Sequence, residues 1–152
     1  MSPDSFTLFS SKKWGRVRCT HCKSICTGDS FSSSQNNSTF KLFHNADCTS
    51  SNVIYLITCK KCQAQYVGET SQQVSRRMNS HRFDINNFDA PEFSTSVATH
   101  FNENTHDYTD FSFMPIDHVS NKLDRLLKET YWMHKLDTVH PNGPNAKLLY
   151  NI

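Results

Sequence analysis

Six cysteines and eight histidines in 152 residues are a rich stock of soft ligands, and four of the cysteines fall in two Cys-x-x-Cys pairs. That spacing lets a tight turn present two thiolates to one tetrahedral ion, the arrangement of a zinc knuckle. Cys59 and Cys62 need two further donors. His100 and His106, with five residues between them, supply these most economically, and His81 is an alternative to either. A site with four protein ligands is closed, so it braces a fold and does not activate water. Cys19 and Cys22, followed by Cys26, repeat the pattern nearer the N-terminus, with Cys48 as the candidate fourth ligand. Reduced thiols without a metal are the competing reading of that second group.

Other residues offer oxygen and cationic groups. Glu129 falls by helical spacing among Leu126, Trp132, Met133 and Leu136, not on a polar face. An apolar setting disfavours an ionised carboxylate unless a metal or a cation compensates. Its oxygens suit Mg²⁺ or Mn²⁺, and an ion pair with an arginine is the alternative. Tyr55 and Tyr66 are ordinary strand residues by type. Gly68 beside them would let a backbone or a phosphate approach closely, and a tyrosine hydroxyl can bond a water or accept its proton. His81 stands on an apolar helix face, where a lone histidine is more often a satisfied core residue.

The elements that must carry these groups follow from hydrophobic period. The apolar run from Val53 to Ile57 has the length and β-branched content of a buried strand, and Tyr66, Val67 and Gly68 form the core of a second. After Gly68 the period becomes helical, with Val74, Met78, His81 and Ile85 on one face and Thr70 or Ser71 as the expected N-cap. Phe93, Val97 and Phe101 predict a short helix over residues 92–102. Phe111 to Ile116 predict a third strand, which Pro115 directs to a sheet edge. Residues 121–136 predict a long helix capped by Asn121. The Ser/Asn tract from Thr27 to Ser38 reads as loop, and Phe40, Leu42 and Phe43 as a short preliminary strand. The expected class is α+β: a small three-stranded, mainly antiparallel sheet flanked by helices, with a zinc knuckle inserted between the first two strands.

Along the chain this divides into a basic flexible arm over residues 1–18, containing Lys12, Lys13, Arg16 and Arg18, a cysteine-containing extension over 19–50, and a domain over 51–150. The net charge of +2 is mild, so any nucleic-acid contact needs a local patch. There is no apolar leader core and no run long enough to span a bilayer, which argues against a membrane partner. With no secretory signal, the expectation is an intracellular protein whose thiol pairs ligate metal and form no disulfides.

The order Ile54-Tyr55, then Tyr66-Val67-Gly68, then Arg-x-x-x-His resembles the GIY-YIG nuclease domain, with Val53 where the family name has its first Gly. The blocks SNVIYLITCKKC from Ser51, YVGET from Tyr66, KETYWMHKL from Lys128 and HPNGPNAK from His140 stand in family order. They are most similar to the endonuclease domain of Penelope-like retroelements, which places two cysteines between the halves of the motif and is described by a Cys-Cys-His-His pattern. The resemblance implies a metal-dependent DNA endonuclease that nicks a phosphodiester. In it, Tyr55 is the general base, Tyr66 positions water or phosphate beside Gly68, and an arginine holds the scissile phosphate. His81 is catalytic or orients a tyrosine, Glu129 holds a single Mg²⁺ or Mn²⁺, and Asn145 orients the site or contacts DNA. Helical phase selects Arg77 over Arg76, because Arg77 stands one turn from His81 whereas Arg76 points to the opposite side. The resemblance also implies DNA as partner, a reverse transcriptase domain in the ancestral element, a nuclear location and structural Zn²⁺. The rival reading is a catalytically inactive zinc-containing nucleic-acid-binding module, or a retroelement remnant.

Overall fold

In the computed structural model, which describes residues 9–13, 19–90, 95–103 and 106–145, the chain begins with a small hairpin of β1 (Ser30–Ser32) and β2 (Thr39–Lys41). It continues through β3 (Val53–Cys59), β4 (Gln65–Thr70), α1 (Val74–Asn86), α2 (Ser96–His100), β5 (Phe111–His118) and α3 (Lys122–Leu136). Arg16 and Arg18 of the expected arm, and Phe93 of the expected short helix, lie outside the described residues. No helix among the described residues is long and apolar enough to cross a membrane.

The main sheet has the order β4-β3-β5 and is antiparallel throughout. Nearly every residue of β3 is buried, as a central strand with both faces covered requires. Its alternation sorts two cores. Val53, Tyr55 and Ile57 face α1 and α2 with Met78, Val97 and Phe113, while Ile54 and Leu56 face α3 with Met114, Trp132 and Leu136. Pro115 sits on the edge strand β5 as expected, opposite Tyr55 where the register with β3 shifts.

Both sheet edges are closed by other parts of the chain. Along β5, Cys26 N–H donates to the Phe113 carbonyl at 2.7 Å and Phe113 N–H to the Ser24 carbonyl at 2.9 Å. Along β4, the Asn145 amide takes both polar groups of Val67, each at 2.9 Å. An unpaired edge would leave such groups unsatisfied or open to another chain.

Four local expectations are corrected. The Ser/Asn tract holds β1, because Phe31 within it packs with Phe40 against Trp132, both at 5.1 Å between ring centroids. Phe43, expected in the preliminary strand, is exposed beyond the end of β2. Helix α1 is not capped by Thr70 or Ser71. Its N-cap is Gln73 without a side-chain bond, and the Ser50 and Cys48 carbonyls accept from Val74 N–H at 2.8 Å and Ser75 N–H at 3.0 Å. Helix α3 does start at an Asn121 cap, but Leu126 is 40% exposed and the buried stripe instead contains Arg125 with Trp132, Met133 and Leu136.

Arg125 is 1% exposed, and its guanidinium is held through Nε and Nη1. Nε donates to Glu69 at 2.7 Å, while Nη1 reaches Asn52 Oδ1 at 3.3 Å, the Val119 carbonyl at 3.0 Å and the Ser120 carbonyl at 3.3 Å. It therefore fastens α3 to β4 and to the ends of β3 and β5. Breaking a buried pair leaves the other charge uncompensated. Arg125→Met should cost about 3 kcal/mol in urea unfolding, and adding Glu69→Gln should recover part of the loss. A single variant within about 0.5 kcal/mol of the parent, the range of an ordinary surface change, would contradict this role.

Candidate active site and metal centre

Tyr55 occupies the middle of β3 with its ring fully buried, and three elements converge on its hydroxyl. From α1, His81 Nε2 lies 2.8 Å away and Arg77 Nε donates at 3.2 Å. From β4, Gly68 pairs opposite Tyr55, and a Cβ there would lie 2.4 Å from the hydroxyl oxygen and from the ring carbon bearing it. Only glycine leaves room there for the tyrosine ring. Tyr66 is half-buried with its ring edge-on to His81 at 6.1 Å. Arg77 is half-buried and Arg76 exposed, the phase expected from sequence.

His81 is neutral near pH 7, because burial and then the Arg77 charge lower its pKa to about 3. Its Nδ1 is buried with no hydrogen-bond partner. An orphaned N–H is the costlier vacancy, which favours the tautomer with the proton on Nε2. In that tautomer the Tyr55 oxygen accepts from both His81 and Arg77, and its own proton is free to point elsewhere. Burial pushes the Tyr55 pKa well up, helped by Tyr66 and Glu129, and Arg77 opposes it. The two N–H donors are therefore aimed at an oxygen whose ionisation burial disfavours on balance.

Glu129 stands half-buried on α3, beside β4. Its pKa is pushed up to about 7, first by burial and second by the charge of Glu69, with a hydrogen bond from the Glu69 backbone and the Arg77 charge acting the other way. It forms no ion pair with any described residue. The expected apolar neighbour Leu126 is replaced by Arg125, one turn away, whose partner is Glu69. A hard oxygen donor, partly dehydrated and crowded by a second carboxylate, fits a divalent cation that takes one or two protein carboxylates and completes its shell with water and phosphate. The sequence reading did not single out Glu69 or Arg125. The available signal was Arg125 four residues before Glu129, in register with the buried stripe.

Asn145 is 2% exposed, its amide turned into the fold. Besides gripping Val67, its Oδ1 accepts from the Thr138 hydroxyl at 2.6 Å. It holds the segment between Tyr66 and Gly68 in place, which makes it a positioning residue.

Across the connection between β3 and β4, the donor atoms of Cys59, Cys62, His100 and His106 lie within 4.8 Å of one another. Cys62 Sγ is 3.4 Å from His100 Nε2. His106 Nδ1 is 2.7 Å from the Glu103 carbonyl, and its ring also bonds the Cys62 thiol. A histidine with one ring nitrogen fixed to a carbonyl and its ring against a thiol has the usual bearing of a metal ligand. Two thiols and two imidazoles fit tetrahedral Zn²⁺. His81, the alternative ligand, is engaged at Tyr55 and lies outside this group.

The sequence model described as the GIY-YIG catalytic domain matches residues 51–142. No curated protein and no solved structure matches the chain.

The raised pKa of Glu129 has a definite sign in stability. A carboxyl that is harder to ionise in the fold than in the unfolded chain favours folding while protonated, and that contribution is lost as pH rises from about 4.5 through about 7. Metal-free Glu129→Gln should match the parent near pH 5 and melt higher near pH 8. Mg²⁺ or Mn²⁺ should raise the melting temperature of the parent alone, and more at pH 8 than at pH 6, where protons compete. A Glu129→Gln variant that melts lower than the parent at pH 8 would mean that the carboxylate holds a structural cation.

Proposed function

This chain belongs to the GIY-YIG catalytic domain family, and we propose that it is a DNA endonuclease that nicks one phosphodiester with a single divalent cation. The observation that carries this reading is the convergence of Arg77, His81 and Gly68 on the Tyr55 hydroxyl, with the unpaired Glu129 within electrostatic reach of the same group. Glu129 would hold Mg²⁺ or Mn²⁺, and such an ion, when bound, supplies positive charge to the phosphate and the leaving oxygen.

The chain's own residues then divide the work. Water attacks phosphorus in line with the leaving oxygen; its O–P bond forms as the P–O bond to that oxygen breaks, and its proton passes to Tyr55. To accept that proton Tyr55 must first have released its own to solvent water, and the N–H groups of Arg77 and His81 stabilise the resulting phenolate. Neutralising the charge on Glu129 removes one of the contributions that hold the tyrosine proton in place. Arg77 also steadies the phosphate. Tyr66 orients water or phosphate, Gly68 leaves room for the Tyr55 ring, and Asn145 keeps that stretch of β4 aligned. The Cys59, Cys62, His100 and His106 group holds structural Zn²⁺ and braces the strand connection.

The Cys-Cys-His-His group between and after the two halves of the motif supports a finer placing beside the endonucleases of Penelope-like retroelements. On that reading residues 51–150 are the nuclease domain, and residues 19–50 an extension that covers its sheet edge. The nick would leave a primer end for a reverse transcriptase, and the protein would act in the nucleus.

Supercoiled plasmid incubated with the full chain and Mg²⁺ or Mn²⁺ should be converted to the open circle, and Glu129→Ala should abolish the conversion. Arg77→Ala should lose about 10²-fold or more in nicking rate, the usual cost of a donor to a developing oxyanion. Arg76→Ala should keep the rate at saturating DNA and lower mainly the salt dependence of binding. Equal loss from both arginines, or binding without nicking in either metal, would favour a nucleic-acid-binding module over the enzyme.

A further inference from the structure

Three thiols outside the proposed catalytic and structural sites also converge. Cys19 and Cys22 come from the segment before β1 and Cys48 from the turn before β3, and their sulfur atoms lie within 4.8 Å of one another. Cys22 Sγ and Cys48 Sγ are 3.9 Å apart, and none of the six cysteines is disulfide-bonded. Tetrahedral zinc with bonds of about 2.3 Å places its sulfur ligands about 3.8 Å apart, whereas a disulfide needs about 2.05 Å. The spacing is that of ligands around one ion.

We propose that Cys19, Cys22 and Cys48 hold a second zinc ion, and that this ion fixes the cap of α1 and thereby the helix that carries Arg77 and His81. The Cys48 and Ser50 carbonyls are the acceptors for the first N–H groups of α1. The turn between them is pinned by Asp47 Oδ1, which accepts from Thr49 N–H at 2.7 Å and the Thr49 hydroxyl at 2.5 Å. The knuckle touches the same helix a second time, where His21 Nε2 lies 2.8 Å from Asn79 Oδ1.

Cys26, expected as a ligand, is not one. Its segment pairs with the edge of β5, which turns Ile25 toward the α1 core and Cys26 toward the α3 core. The residues outside the described range contain no cysteine or histidine. Among the described residues no further histidine, cysteine or carboxylate joins the three thiols, which leaves the fourth position to solvent. The proposal holds whether or not the chain cleaves DNA.

The test is metal stoichiometry on the full chain purified under reducing conditions. The parent should carry two zinc equivalents, Cys22→Ser and Cys59→Ser one each, and the double variant none. Replacing zinc by Co²⁺ in the two single variants should give sulfur-to-metal charge-transfer bands in a ratio of about three to two, the ratio of thiolates in the Cys59→Ser and Cys22→Ser proteins. If a variant fails to fold, alkylation of the parent decides: Cys19, Cys22 and Cys48 should be protected together and released together on zinc extraction. Hydrogen exchange at the start of α1 should rise in Cys22→Ser while that of α3 does not. A parent with one equivalent, all lost with Cys59→Ser, or a Cys22 to Cys48 disulfide by mass, would overturn the site. Unchanged exchange in α1 would overturn its role.

Discussion

One buried oxygen, the Tyr55 hydroxyl, is the point on which β3, β4 and α1 converge. The Tyr55 hydroxyl is enclosed by the sheet core, yet it lies 2.8 Å from His81 Nε2, receives a hydrogen bond from Arg77 and presses against the one position of β4 where no side chain fits. Burial alone would make it inert. Two N–H donors are aimed at it from α1, and the remaining structure keeps Arg77, His81 and Gly68 packed around it.

That requirement explains why so much of the chain serves β4 and α1. Asn145 supplies the missing rung beside Val67, and Arg125 binds Glu69 two residues further along the same strand. Helix α1 takes its cap from Cys48 and Ser50, and Ser33 returns the favour at the far end of α3, where its hydroxyl donates to the Leu136 carbonyl at 2.7 Å. The segment before β3 is thus integral to the packed unit: it closes the β5 edge, caps one helix and covers Trp132. The two carboxylates beside β4 are treated oppositely. Glu69 is neutralised by Arg125, and Glu129 has no ion-pair partner among the described residues.

Features governed by local period or by fixed spacing were legible in the sequence. The apolar run of β3, the helical phase that separates Arg77 from Arg76, the Asn121 cap and the edge position of Pro115 all follow from rules that act over a few residues. The four donors of the Cys59 group were legible because a two-residue spacing and a pair of histidines are written in the chain. Features that depend on a partner distant in sequence were not. A cap made by the carbonyls of Cys48 and Ser50 leaves no side-chain signature, so a nearby Thr70 or Ser71 looked sufficient. Arg125 was passed over because an arginine in a helix reads as solvent-facing until Glu69, 56 residues away, is seen beside it. Phe31 was lost among serines, although one aromatic facing Trp132 is enough to order a short hairpin. Asn145 carried no mark of its depth, since an amide that satisfies a strand edge and one that faces solvent are spelled alike.

The most direct test of the central claim is the rate at which Tyr55→Phe nicks supercoiled plasmid in Mn²⁺, measured beside its zinc content and its melting transition. Removing one oxygen leaves the ring, the packing and the metal ligands in place. The account predicts a loss of at least about 10²-fold in rate, the usual contribution of a general base, with cooperative melting and unchanged zinc. A well-folded Tyr55→Phe protein that nicks at the parental rate would contradict it.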